Sequence, residues 1–423
     1  MTVPLIYNLF PRLVGPTTRW PEHARRAAEM RFNWLYLNPW HYPGFSGSLY
    51  APKEFRRLNP LFAPAGSDTR ILDVLERALR QIADAGLRPM MDLVINHTAK
   101  DAVLADEHPE WYVRDERGQL VSPFVRDPDD PAKITVWGDL AEIDNENAPD
   151  REALWSYWAE LVRDSIGLGF RGFRCDAAYK VPAELWKRLI DEARRADPAV
   201  RFFAETLGAP MESIAALADA GFDYIFNSSK WWDFRAPWAL EQHERFRELA
   251  PSIAFPESHD TPRLAAESGG SEAVQKQRYA FAAAFSAGVM MPVGYEFGFR
   301  TQVNVVETMP ADWERRHFDL TAFIARVNSL KLEEPSLQGE GELEAPWGLE
   351  GDVLLLERHA PGAREPAWIL VNKEPGRTFT VTLPEAARGR RLFRVCRDDA
   401  EEAGGAPERL ELRGAEVAYV LPG

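Results

Sequence analysis

The chain has 423 residues, 45% hydrophobic and 27% charged, the balance of a folded protein long enough for one large domain and a smaller one. Its 65 acidic and 50 basic side chains leave a net charge of −15, which argues against nucleic acid and anionic membrane as partners. Two cysteines, Cys175 and Cys396, exclude a disulfide framework, the start at Met1-Thr2-Val3-Pro4 lacks a signal peptide's regions, and no run nears the roughly 18 apolar residues of a membrane span, so a cytoplasmic protein is expected.

Taken in chain order, short apolar runs alternate with amphipathic segments. Leu5–Phe10 reads as a strand and Trp20–Met30 as a helix starting near Pro21. Asn33–Asn38 is the next strand, and Asp68–Ala85 a helix opened by a Ser67/Asp68 cap. Arg88–Asn96 is a third strand, followed by a long polar stretch and a helix over Arg151–Ile166. Strands at Gly172–Asp176 and Phe202–Glu205 precede helices at Pro182–Ala196 and Met211–Ala220. Tyr224–Phe226, Ile253–Glu257 and Val289–Val293 complete the strands, with helices at Ala273–Ser286 and Phe318–Leu330. Eight strand–helix alternations predict a parallel sheet closed as a (β/α)8 TIM barrel over residues 1–335, with an open doubly wound sheet as the runner-up.

Two departures from the rhythm stand out. A segment over residues 98–149, inserted after strand three, carries Trp111/Tyr112 and the run Asp127–Pro131, and a loop that long in a compact domain is usually functional. Beyond Pro335 strands follow one another without helices: Val353–Glu357, Trp368–Asn372, Phe379–Leu383, Arg391–Val395 and Val417–Leu421. Residues 336–423 are therefore read as a C-terminal antiparallel β-sandwich domain.

Gly167–Gly172 matches the spacing of a dinucleotide fingerprint, but a helix precedes it and a strand follows, the reverse of what that site needs. Ser258, His259 and Asp260 are consecutive, so they cannot relay a proton among themselves as a hydrolase triad. In a barrel the chemistry sits where strands end. Asp92, Asn96 and His97 end strand three, Arg174 and Asp176 strand four, Glu205 strand five, and His259 and Asp260 strand seven. Three acids on one rim suit glycosidic chemistry, in which one carboxylate attacks and another donates a proton. Asp176, beside Arg174, is expected to be held ionised as a nucleophile, and Glu205, ending the apolar Phe202-Phe203-Ala204, to be raised for acid/base work. Asp260 would bind sugar hydroxyls. The same acids holding Mg²⁺ or a metal pair is the rival reading.

Four of these segments resemble the signature motifs of the α-amylase family of glycoside hydrolases: Asp92–His97, Gly172–Lys180, Phe203–Glu205 and Phe255–Asp260, in that family's order. Leu49-Tyr50-Ala51 through Asn59-Pro60, Asp139–Asp144 and Gly288–Gly298 are similar to further segments of it. The resemblance implies that Asp176 is the nucleophile, Glu205 the acid/base and Asp260 the transition-state stabiliser. It further implies that Arg174 orients Asp176, and that Tyr50, His97 and His259 line the subsite of the reacting sugar. Retention of configuration follows, with the two leading carboxyls about 5–5.5 Å apart. Ala51 stands where many members have aspartate, and Val181 where a histidine carbonyl often binds calcium. Asn96 is the weak calcium candidate that remains, and no cofactor is expected.

The stretch from Lys180 to Phe222 is also similar to a branch that moves maltosyl units from maltose 1-phosphate onto glucan, whose members carry an additional N-terminal domain without counterpart in this sequence. The expected partner is therefore an α-glucan or maltooligosaccharide, cleaved or transferred at α-1,4 links. A maltosyl- or 4-α-glucanotransferase is the alternative, a non-catalytic carbohydrate-binding barrel a more distant one, and oligomeric state is left open. Lys180 and Arg263 are expected to bind substrate, as cations suited to a sugar phosphate, with rim salt bridges as the plainer reading. Trp40 and Tyr42, in a Pro43-Gly44 loop expected to be exposed, and Trp231, Trp232 and Trp238 are candidate sugar-stacking platforms. Cys175 should point into the barrel wall as an inert thiol.

Overall fold

The computed structural model describes residues 3–126, 132, 134–397 and 402–423, so the Asp127–Pro131 run lies outside the described residues. Eight strands close a parallel barrel: β1 (Leu5–Leu9), β2 (Trp34–Leu37), β3 (Arg88–Leu93), β4 (Gly172–Cys175), β5 (Arg201–Glu205), β6 (Tyr224–Phe226), β7 (Ser252–Ala254) and β8 (Gly288–Pro292). β8 returns to β1 with Leu5 opposite Val289. Helices α1 (Trp20–Glu29), α2 (Asp73–Asp84), α3 (Arg151–Leu168), α4 (Ala183–Ala196), α5 (Met211–Ala215), α6 (Trp238–Phe246), α7 (Glu272–Phe285) and α8 (Thr321–Glu333) form the outer ring. Among the described residues no helix is long and apolar enough to cross a membrane.

The period-two alternation of strands assigns each residue to lumen or outer wall. Ile6, Trp34, Tyr36, Met90, Phe203, Phe226, Ile253 and Met290 fill the lumen as a separate core. Leu5, Tyr7, Leu9, Leu35, Leu37, Met91, Phe173, Cys175 and Phe202 face the helices. Gly172 opens β4 on the lumen side, where a Cβ would come within 2.6 Å of the Trp34 ring. The same parity sends Asp92, Arg174 and Glu205 inward, toward the open end of the barrel.

Two elements differ from their expected bounds for identifiable reasons. The α2 helix starts at Asp73, not Asp68, because the Asp68 carboxylate accepts the Arg70 N–H and closes a local turn instead of capping a helix. β7 stops at Ala254, two residues before Pro256, which has no N–H to offer a ladder. Ser258–Asp260 therefore lies on the loop beyond that strand.

After β2 the chain folds back as an antiparallel hairpin, His41–Pro43 with Pro52–Leu58. The inserted segment holds two more small hairpins, His97–Ala99 with Leu140–Glu142 and Phe124–Arg126 with Ile134–Val136. Its aromatic pair joins the barrel's core: Trp111 and Tyr112 are buried, Trp111 packs on Tyr157 of α3, and the Tyr112 hydroxyl meets Thr98 at 2.9 Å. The C-terminal part contains β9 (Glu342–Glu344), β10 (Val353–His359), β11 (Ala367–Asn372), β12 (Phe379–Thr382), β13 (Arg391–Phe393), β14 (Glu402–Gly405), β15 (Arg409–Leu412) and β16 (Val417–Leu421). Six of them make one sheet in the order β9-β10-β11-β16-β13-β14, and β12 pairs with β15. The unbroken run Val353-Leu354-Leu355-Leu356 follows from burial of both faces: Leu354 and Leu356 join the barrel's core, Val353 and Leu355 a second core with Leu383, Leu410 and Leu412. Tyr419 of β16 ties the sheet to the barrel by donating to the Ala280 carbonyl of α7 at 2.6 Å.

Candidate active site

The register of β3 and β4 places Arg174 directly beside Asp92, both on the lumen face. Arg174 Nη1 lies 2.9 Å from Asp92 Oδ1 and 2.8 Å from Asp176 Oδ1, and Nη2 lies 3.8 Å from Asp260 Oδ2. One buried guanidinium thus spaces three carboxylates brought from β3, β4 and the loop after β7. Glu205, ending β5, faces them. Its Oε1 accepts the Leu207 N–H at 2.8 Å and its Oε2 the Ala177 N–H at 3.0 Å. Ala177 holds the left-handed conformation, φ 42°, a strained turn for a residue with a Cβ, and that turn aims its N–H from the Asp176 side at Glu205.

Burial and neighbouring charge separate the protonation behaviour of these acids. Burial pushes Glu205 up to about 7, opposed by Arg174 and reinforced by Asp176 and Asp260. Asp176 is also raised above its ordinary value, because burial and the nearby Asp260 outweigh its ion pair with Arg174. The Arg174 guanidinium beside Asp176 favours the ionised carboxylate expected of a nucleophile, and it moderates the rise rather than reversing it. Asp260 is raised by burial against the pull of Arg174.

A second layer of bonds fixes the aromatic wall of the cleft. Asp92 Oδ2 accepts from the hydroxyls of Tyr36 and Tyr50, each at 2.5 Å. The Asn38 amide donates to both hydroxyls, at 3.2 and 3.0 Å. Tyr50 stacks parallel to His259, with ring centroids 5.5 Å apart. Since the Tyr50 proton goes to Asp92, the 2.6 Å contact between its oxygen and His259 Nε2 requires the proton to sit on that nitrogen. Burial lowers His259 to about 3, so the ring is the neutral Nε2–H tautomer, which also faces Asp260 Oδ2 at 3.0 Å. His97, lowered by burial to about 4, donates from Nε2 to the Tyr50 carbonyl at 3.0 Å.

These groups line a cavity of about 240 Å³ that contains Tyr50, His97, Asp176, Glu205 and Asp260 together with Asn96, Asp139 and Lys180. Lys180 Nζ donates to the Phe124 carbonyl of the insertion at 3.1 Å and lies 5.7 Å from the centre of the Trp137 ring. Of the expected substrate residues, Arg174 and His259 are buried behind the acids rather than on the cavity wall, and Arg263 does not reach the site at all. It is buried, paired with Glu257 at 2.8 Å, and donates to the Thr301 carbonyl, so the abundance of acids won its charge for the interior. Trp40 is likewise buried, its ring tilted against His41 of the hairpin after β2 and stacked on Phe170. Tyr42 lies under the Arg57 guanidinium, Trp232 is core, and Trp231 is half exposed. Cys175 faces the barrel wall, fully buried, with its thiol pKa raised by burial. Among the described residues no group of three His, Cys, Asp or Glu is gathered to hold a metal ion.

Tyr179 and Trp137, which line the cavity, and Tyr36 and Asn38, which hold the Asp92–Tyr50 network behind it, were not singled out in the sequence. Tyr36 and Asn38 carried a usable signal, as polar groups of one parity at the end of the apolar Trp34–Leu37 run. Trp137 carried none, since its place depends on how the insertion folds back.

A closed parallel barrel with a polar, carboxylate-lined cleft at the carboxyl ends of its strands has the architecture of a barrel enzyme. Residues 5–117 match the family described as "Glycogen debranching enzyme, glucanotransferase domain". The chain is 32% identical over 378 residues to an alpha-1,4-glucan:maltose-1-phosphate maltosyltransferase of Burkholderia pseudomallei, covering 86% of this chain and 32% of that protein. It is 24% identical over 339 residues to alpha-amylase MalA of Haloarcula japonica, covering 74% of this chain and 47% of that one. The crystal structure of an alpha-amylase from Lactobacillus plantarum superposes with a TM-score of 0.76 at 22% identity, over 98% of both chains. The chain thus has the fold of the α-amylases and is similar in sequence to their maltosyltransferase branch. It spans about a third of the first of these curated relatives and about half of the second.

Proposed function

We propose that the chain is a retaining enzyme acting on α-1,4-glucosidic bonds of maltooligosaccharides or α-glucan. The observation that carries this reading is the pairing, across one cavity, of Asp176 on the Arg174 guanidinium with a Glu205 raised to about 7. In the first step an Asp176 oxygen attacks the anomeric carbon, the glycosidic C–O bond breaks, and the Glu205 proton passes to the departing oxygen. In the second, water or a sugar hydroxyl gives its proton to Glu205 and attacks the same carbon, releasing the Asp176 carboxylate. Asp260 faces the sugar hydroxyls, held from behind by the neutral His259 Nε2–H, and Tyr50 stacks on the ring. Lys180, at the cavity edge, meets a distal hydroxyl or phosphate of the substrate. No nucleic acid or membrane has a place in this reading.

Transfer of maltosyl units from maltose 1-phosphate is the second reading, favoured by the 32% identity to a protein named for that activity. The glycosyl-enzyme is common to both, and only the departing group and the acceptor differ. This reading gives no step to a metal ion: calcium asks for six to eight oxygens, and Asn96, the calcium candidate, shares the cavity lining with the Lys180 ammonium. A cytoplasmic protein is part of this reading, and the free thiols Cys175 and Cys396, which suit a reducing compartment, support it.

Mass analysis of products from maltoheptaose, with and without maltose 1-phosphate and in the presence of a strong chelator, tests the proposal. New free reducing ends from maltoheptaose alone support hydrolysis. Chains lengthened by two glucosyl units only when maltose 1-phosphate is supplied support the second reading. No change in either mixture refutes both.

A further inference from the structure

Trp231 is half exposed (50%), while its neighbour Trp232 is buried in the core. It ends a short turn, Ser229–Trp231, on the loop after β6. That loop is bonded to the one that follows Glu205. Thr206 Oγ1 donates to the Phe226 carbonyl at 2.6 Å, and the Gly208 N–H donates to Ser228 Oγ at 3.1 Å. Gly208 adopts φ +69°, and a Cβ there would touch the edge of the Trp231 ring at 3.4 and 3.5 Å. The indole is therefore seated on bare glycine backbone at one edge and open to solvent elsewhere, which makes it a stiff apolar surface with little rotamer freedom to lose on binding.

Its position relative to the chemistry sets what it can bind. Glu205 hands its proton to the departing oxygen, so the loop that continues from Glu205 lies on the departing-group side of the cleft. Gly208 is three residues further on, within about 11 Å of Glu205 along the chain. Past Trp231 the surface continues as a groove of about 520 Å³ flanked by Lys230, Glu267, Ser271, Arg278 and Pro375. Lys230 and Glu267 pair at 2.8 Å along its wall. An apolar ring face bordered by hydroxyl and charged groups is the chemistry that takes a pyranose, face to ring and hydroxyls to the rim.

We propose that Trp231, seated on Gly208, is a platform for the departing or accepting glucosyl units of a maltooligosaccharide, with the Lys230–Pro375 groove continuing it. The inference rests on the α-glucosidic reading of the Asp176/Glu205 site and extends it to chain length: longer oligosaccharides are used better because they reach the indole.

Steady-state kinetics with two donors tests it. Maltoheptaose extends past Glu205, whereas the fluoride of α-maltosyl fluoride does not. Trp231→Ala is expected to raise KM for maltoheptaose by about tenfold more than KM for the fluoride, with kcat for the two falling in parallel; tenfold corresponds to about 1.4 kcal/mol of aromatic contact. Trp231→Phe should recover most of the difference, which a purely structural role would not produce. Equal effects on both donors, or none on either, overturn the proposal while leaving the active-site reading intact. A wild-type protein that turns over neither donor overturns both.

Discussion

Replacing Glu205 by glutamine should destroy turnover of unactivated glucan and change the sign of its effect on stability between acid and alkaline pH. Burial carries the Glu205 carboxyl from its ordinary 4.5 to about 7. Below pH 4.5 it is protonated in folded and unfolded chains alike, and the shift has no effect on stability. Between 4.5 and 7 the unfolded chain releases the proton while the folded site retains it, so stability falls as pH rises, and above 7 the whole cost is present. At 1.36 kcal/mol per tenfold change that cost is about 3 kcal/mol, which solvent at the open cleft reduces to about 2. Glutamine is neutral throughout and removes it. Glutamine also has one carbonyl oxygen where two carboxylate oxygens now accept the N–H groups of Leu207 and Ala177, and one orphaned donor costs about 1 kcal/mol. The net expectation is a variant about 1 kcal/mol less stable than the parent near pH 4 and about 1 kcal/mol more stable near pH 8. Denaturant titrations of both proteins at the two pH values measure it. A difference that stays constant with pH would refute the raised carboxyl and, with it, the assignment of Glu205 as the acid.

Three further outcomes follow from the same geometry. Asp176→Asn should lower kcat by on the order of 10⁴ or more while leaving the far-ultraviolet spectrum unchanged, since it removes the attacking oxygen and keeps the side chain's shape. Tyr50→Phe retains the ring against His259 but loses the hydroxyl bonded to Asp92 and His259; one charge-assisted and one neutral bond predict a loss of about 10- to 100-fold in kcat/KM. Arg263→Ala should act on stability, not on KM: it strands the buried Glu257 carboxylate, at a cost of about 3–5 kcal/mol read from denaturant unfolding.

The acids were legible in the sequence because each ends an apolar run, and in a parallel barrel every run ends on the same rim. Arg174 was legible for the same reason, and its contact with Asp176 follows from two-residue spacing on one face of β4. Its contact with Asp92 was not, because register between β3 and β4 is set by barrel closure and not by either strand's own residues. Trp40 was misread because Pro43-Gly44 marks a turn, and a turn says nothing about what the indole before it packs on; here that is His41 and Phe170. Arg263 was left with two readings because a cation three residues past the rim acid Asp260 can turn outward to substrate or inward to Glu257, and pattern does not distinguish the two. The C-terminal strands were mostly placed, but β9, β14 and β15 are short and half polar, with too little alternation to register as strands. Their order in the sheet, with β16 between β11 and β13, is a tertiary fact.

The central claim, a covalent glycosyl–Asp176 intermediate resolved with help from Glu205, is tested most directly by following the anomeric proton of the newly released sugar by NMR during the first minutes of maltooligosaccharide turnover. The account predicts that the α-anomer appears first and the β-anomer grows in only by mutarotation. Initial accumulation of the β-anomer would contradict it.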